Sequence, residues 1–189
     1  MRGNLFVLTG SSGVGKTTVA AELLKRRNNL KRIVTCTTRS IREGETDGVH
    51  YHFLDKETFR ALIEEKGFFE WDQHYDHLYG SRISDVENAL SSGTDVLFVI
   101  DVNGAKTISK DHPEAIVLFL KPHTEKELLE RLQKRDRGDT AGFEKRKVAI
   151  EKELAYGETI KYQIVNKDGE LEQAVQEVVG IMNDLDKNN

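Results

Sequence analysis

Residues 10–17 read GSSGVGKT, with LFVLT directly before them and TVAAELLKRR directly after. The pattern G-x-x-x-x-G-K-[ST] is complete in Gly10, Gly15, Lys16 and Thr17. Each residue type has a task. Glycine permits the positive φ that turns backbone N–H groups inward. A helix starting at the loop adds unpaired amides and the positive end of its dipole. Lys16 adds a compact cation, and the Thr17 hydroxyl suits a magnesium ion that bridges phosphates. A glycine turn ahead of a surface helix is the plain alternative. Strand, loop and helix in the required order instead predict a cradle for the phosphates of a nucleoside triphosphate. That cradle is built by Gly10, Ser11, Ser12, Gly13, Val14, Gly15, Lys16, Thr17 and Thr18.

A second set of groups suits another phosphate. Arg39 and Arg42 flank a short bend, and Tyr51 and Tyr79 lie beside glycine-bearing stretches, DGVHY and HLYGS. Two guanidinium forks and two phenol hydroxyls can clamp a phosphate dianion. The same bend also carries Glu43, Glu45 and Asp47, so a solvated, salt-bridged loop is an equal reading of the residues alone. A third set, Arg131, Arg135, Arg137 and Arg146, surrounds the stretch RLQKRDRGDTAGFEKR. Like charges four apart on a helix repel weakly, which a solvated face tolerates. These arginines are equally suited to a transferring phosphoryl group.

The elements that position these groups follow from pattern. Runs at 5–9, 32–37, 96–101, 115–120 and 162–166 are apolar almost throughout, as in strands covered on both faces of a parallel sheet. Helical periodicity falls at about 16–28, 55–66, 82–92, 103–110, 124–135, 143–158 and 170–186, with Thr124 and Glu127 forming a capping box. Leu171, Ala174, Val175, Val178, Val179 and Met182 make a core-facing stripe. Alternation of strand and helix predicts an open α/β sheet. Residues 39–53 and 131–146 break the rhythm and read as excursions from it.

Composition narrows the classes. The chain has 189 residues and a net charge of −4, which suits one domain and argues against a general nucleic-acid or anionic-membrane binder. The single cysteine, Cys36, permits no intrachain disulfide and fits a reducing compartment; its strand context predicts a buried, inert thiol. No apolar run approaches the ~20 residues of a membrane helix, and the N-terminus lacks a signal-peptide pattern. Cytoplasmic location is expected. His50 and His52, His74 and His77, His112 and His123 have no cysteine beside them, so a zinc role is not expected.

Taken in order, TTRSIREGETDGVHYHF, FFEWDQHYDHLYGS, VIDVNGA and IVN resemble guanylate kinase, from the first strand to about residue 168. The resemblance implies an α/β fold with a P-loop NTPase-type parallel sheet flanked by helices. One domain, 1–189, would comprise a core (1–34, 82–125 and 147–189), a GMP-binding region at about 35–81 and an arginine-bearing lid at about 126–146. The implied reaction is magnesium-dependent phosphoryl transfer from ATP to GMP, giving ADP and GDP. Arg39, Arg42, Tyr51 and Tyr79 would hold the GMP phosphate, and Thr35, Glu70, Ser81 and Asp101 would surround guanine. Lys16, Arg131, Arg135 and Arg146 would act on the transferring group, with Arg137 open to two alignments.

The chemistry of guanine agrees, since a carboxylate suits its N1–H and 2-amino donors and a hydroxyl can donate to O6. Adenine presents an acceptor at N1, so the same carboxylate would disfavour it. Asp101 ends an apolar strand, VLFVID, and is equally placed to serve magnesium. The expected partners are ATP and GMP, with neither nucleic acid nor membrane, and the chain is read as a monomer or homodimer. Two alternatives stand beside this: a kinase of another small phosphorylated acceptor, and a non-catalytic guanylate-kinase-like binding module. The chain departs from the family pattern at Ser11 and Ile41, where proline is usual, and at Val99, where an acid is common.

Overall fold

The computed structural model describes residues 2–74, 76–136 and 140–187, without the side chains of 74, 134–136, 140–146 and 148. In chain order the first elements are β1 (Leu5–Gly10), α1 (Lys16–Arg26), β2 (Leu30–Arg32), β3 (Cys36–Thr37), β4 (His52–Phe53), α2 (Lys56–Glu64), β5 (Phe68–His74) and β6 (His77–Arg82). They are followed by α3 (Ile83–Ser91), β7 (Asp95–Val99), α4 (Val102–Asp111), β8 (Ile116–Pro122), α5 (Glu125–Asp136), α6 (Thr140–Gly157), β9 (Tyr162–Asn166) and α7 (Leu171–Asp186).

Five strands form one sheet in the order β2-β7-β1-β8-β9, and four form another in the order β4-β3-β6-β5. In the larger sheet, β1 with β8, β2 with β7 and β8 with β9 run parallel. The first strand is buried at all six positions, which accounts for its unbroken apolar reading. The α/β class and the parallel sheet are therefore as expected.

The chain divides into two compact units. One holds the described residues up to Leu5, Asn29–Phe98 and Asn103–Ala115. Its smaller sheet packs Cys36, Phe59 and Phe68 together, with Leu54, Leu62, Ile63 and Leu78 against them. Phe59 stacks on Phe68 with ring centroids 4.3 Å apart. Helix α2 is capped by Asp55, whose carboxylate accepts from the Thr58 amide at 2.7 Å. Cys36 is buried, and burial pushes its thiol pKa up, as an inert core sulfur requires.

The other unit holds Phe6–Asn28, Val99–Val102 and Ile116 onward. Its core contains Phe6, Leu8, Leu23, Leu118, Leu120, Leu128 and Leu132, all fully buried. The predicted cap at Thr124 is present, its hydroxyl accepting from the Glu127 amide at 3.2 Å. The stripe of α7 is buried at Ala174, Val175, Val178 and Met182.

Three expectations change. The run 32–37 is not one strand: β2 ends at Arg32, and β3 begins at Cys36 in the other sheet. The hairpin of β5 and β6 was not expected, because Glu70 and Ser81 take buried positions and spoil the apolar alternation that marks a strand. The excursion at 131–146 is helical to Asp136 and again from Thr140; Arg137 lies outside the described residues.

Candidate functional site

The phosphate loop leaves β1 at Gly10, whose φ is 144°, and enters α1 through Gly15, whose φ is 102°. Both values lie where L side chains are strained. Space is closed as well: a Cβ at Gly10 would run into the Leu120 carbonyl oxygen, and one at Gly15 into the Asn166 amide. Gly15 caps α1 without a side-chain hydrogen bond, so no side chain caps the first amides of the helix.

Between the glycines, Val14 is fully buried and pins the loop to the core. Its carbonyl accepts from Asn166 Nδ2 at 2.8 Å and from Arg131 Nη1 at 3.3 Å. Lys16 Nζ donates to the carbonyls of Gly10 at 2.6 Å and Ser11 at 3.1 Å. Its ammonium therefore lies along the loop's inner rim. Thr17 and Thr18 are exposed.

Arg131 has a role its sequence context did not suggest. Besides the Val14 carbonyl, it donates to the Asn166 carbonyl at 3.0 Å and pairs with Asp168 at 2.6 Å. It braces the back of the loop. The backbones of Arg135 and Arg146 lie in α5 and α6, and their side chains lie outside the described residues.

Glu153 was missed from sequence. It follows buried Ile150 by three residues and precedes buried Gly157 by four, so it sits on the inward stripe of α6. An acid within such a stripe is the signal that could have found it. Burial pushes its pKa up, opposed by the Lys16 ammonium, the Ser11 hydroxyl and the Ser12 amide and reinforced by repulsion from Asp101. Glu153 Oε2 and Ser11 Oγ are both buried, and neither meets full hydrogen-bond geometry with a partner among the described residues. Asp101 thus belongs to the phosphate-loop unit.

The second group of residues lies in the other unit. Arg39 is buried to 9% exposure and forms a two-pronged pair with Glu45 at 2.7 and 2.9 Å. Its guanidinium lies 5.3 Å from the Tyr51 ring centroid and 5.7 Å from that of Phe53. Tyr51 and Tyr79 meet edge to face at 6.1 Å, and Tyr79 adds to the chief effect of Glu45 in raising the Arg39 pKa. Three of the four expected clamp residues are thereby brought together. The fourth, Arg42, has an exposed side chain and joins through its backbone N–H, which donates to Glu45 at 2.8 Å.

On the same sheet, Ser81 Oγ donates to Glu70 Oε1 at 2.8 Å, with both residues buried. The two stand opposite each other in the β5–β6 register. Ser81 and Tyr79 are two apart on β6 and share a face. Thr35 lies one residue before β3, and continuing the Cys36–Gly80 pairing sets it opposite Ser81. Trp71 is 43% exposed, while Phe68 stacks on Phe59 and Phe69 on His112 at 3.8 Å.

Among the described residues, no group of three or more His, Cys, Asp or Glu side chains is arranged to hold a metal ion. No helix among them is long and apolar enough to cross a membrane.

A glycine loop between a parallel strand and a helix, with a lysine along its rim, defines a P-loop nucleotide-binding protein. Comparison with known proteins narrows the class. A family model described as guanylate kinase matches residues 2–185. A guanylate kinase of Thermus thermophilus is 43% identical over 182 residues, covering 96% of this chain and 81% of that one. One from Prochlorococcus marinus is 37% identical over 180 residues, covering 95% and 96%. The crystal structure of guanylate kinase from Anaplasma phagocytophilum superposes with a TM-score of 0.75 at 26% identity, covering 96% of this chain and 85% of that one. The chain belongs to the guanylate kinase family.

Proposed function

We propose that this protein transfers the terminal phosphoryl group of ATP to GMP, giving ADP and GDP. The observation that carries the choice of acceptor is the buried Glu70–Ser81 pair, on the face of β6 that also carries Tyr79. A carboxylate suits the N1–H and 2-amino donors of guanine, whereas adenine would set a lone pair against it. Arg39, Arg42, Tyr51 and Tyr79 receive the monophosphate. Thr35 serves guanine O6, and Asp101 serves either the base or the metal.

The donor phosphates fall to residues 10–18, with Lys16 exchanging its loop carbonyls for phosphate oxygens. Transfer needs no general base, because the acceptor oxygen is already ionised. Catalysis is then alignment and charge neutralisation, supplied by Lys16, Arg135 and Arg146, with Arg131 fixing the loop that presents the donor. Magnesium, when bound, offsets phosphate charge. Thr17, an exposed residue, and the Asp101 carboxylate would offer it the hard oxygen donors it favours, beside those of phosphates and water. A cytoplasmic location accords with the lone buried thiol.

A panel of nucleoside monophosphates in an ADP-release assay tests the reading. GMP should be the preferred acceptor. Strong turnover of AMP with none of GMP would overturn it.

A further inference from the structure

We propose that Glu45 is a positioning residue for the acceptor phosphate, acting through Arg39; this rests on the assignment of Arg39 to the GMP phosphate. Its carboxylate accepts from Arg39 Nη1 and Nη2 and from the Arg42 backbone N–H, at 2.9, 2.7 and 2.8 Å. It therefore ties one clamp arginine to the backbone of the other. The Glu45 amide returns to the Arg42 carbonyl at 3.0 Å, which closes the bend between them. Ile41, where the family usually has proline, is 52% exposed. The carboxylate supplies the local rigidity that a proline ring would otherwise give.

The geometry leaves Arg39 a restricted set of donors. A guanidinium has five N–H groups, and Ser40 and Glu45 take three of them. Tyr51 and Phe53 rings stand beside the same cation. Arg39 and Glu45 retain only 9% and 18% side-chain exposure, so the pair is held within the protein and not free in solvent. The guanidinium is thus fixed in plane and direction before any phosphate reaches it, which removes the rotamer entropy a free arginine would lose on binding.

The negative charge of Glu45 opposes a dianion, and the fixed fork favours it. With Arg42 adding a second cation, fixation outweighs repulsion. The two effects have opposite signs in experiment. Arg39 holds Glu45 in its charged form, its pKa lowered to about 2 with help from the Arg42 amide, so the pair stays intact across the neutral range.

Glu45→Gln keeps an acceptor for the Arg42 N–H but removes the charge that orients Arg39. The expected result is a rise in the dissociation constant for GMP of roughly tenfold, with ATP affinity unchanged. Glu45→Asp, too short to span both arginines, should show the same split. The decisive measurement is a double-mutant cycle with Arg39→Met. In the Arg39→Met background, Glu45→Gln should have no further effect on GMP. Tighter GMP binding by Glu45→Gln, an unchanged constant, or full additivity with Arg39→Met would each overturn the proposal. Failure of the wild-type protein to bind GMP at all would instead overturn the assignment of the acceptor.

Discussion

The phosphate loop and the monophosphate clamp hold their cations in different ways. Lys16 rests on two neutral carbonyls, at 2.6 and 3.1 Å. Arg39 rests on a full carboxylate through two bonds. Carbonyl oxygens carry partial charge, so a phosphate dianion can draw the lysine away at small cost. A bidentate carboxylate is a stronger partner, and the arginine keeps it. The loop is also built from backbone within eight consecutive residues, whereas the clamp is assembled from side chains on β6 and on the segment between β3 and β4. On the proposed reading, one region would move its cation to the ligand, and the other would present a cation already aimed.

That contrast can be broken most severely at Lys16. Lys16→Ala should reduce turnover by about 10³-fold or more while leaving the thermal midpoint nearly unchanged, since two of the bonds the side chain makes go to carbonyls of the loop itself. Steady-state kinetics with thermal melts would check this; retained turnover would remove the loop from the chemistry.

Glu70→Gln comes next. The amide still accepts from Ser81, so the hairpin should hold. It presents guanine with a weaker, uncharged acceptor, and the KM for GMP should rise by roughly 10- to 100-fold. The KM for ATP should stay put. Parallel changes in both constants would make Glu70 structural.

A smaller effect is expected at the brace. Arg131→Lys keeps the charge but loses the fork that reaches the Val14 carbonyl, the Asn166 carbonyl and Asp168. The KM for ATP should rise several-fold, with GMP affinity unaffected. Isothermal titration of each nucleotide separately would show whether the two regions are independent.

The smallest effect concerns Glu153 and pH. Folding raises its pKa above the ordinary 4.5, chiefly through burial. The folded chain therefore binds this proton more tightly than the unfolded one. Its relative contribution to stability is greatest below the ordinary carboxyl pKa and is lost as pH rises through the raised value. Glu153→Gln should flatten the melting profile above the ordinary carboxyl range, with a gain on its alkaline side. A wild-type profile unchanged by the substitution would place the acid in water.

The loop and its strand and helix were legible because all their determinants are contiguous: glycine, lysine and threonine at set spacing beside a wholly buried strand. The five parallel strands were legible by the same local rule, apart from the run at 32–37. There β2 and β3 belong to different sheets, and apolar content alone carries no information about which neighbour a strand will pair with. The arginine and tyrosine candidates of the clamp could be named from residue type. Their partner could not, because Glu43, Glu45 and Asp47 look alike along the chain.

The chain by itself thus determined the α/β class, the glycine loop between strand and helix and the family, since each depends on short-range spacing or on ordered motifs. Tertiary structure alone decided that Glu45 is the acid that holds Arg39, that Glu70 faces Ser81 across a hairpin, that Arg131 braces Val14, and that Glu153 turns inward. The reason is the same in each case. A side-chain bond between elements requires a particular approach in space, and side-chain charge says only that a partner is needed.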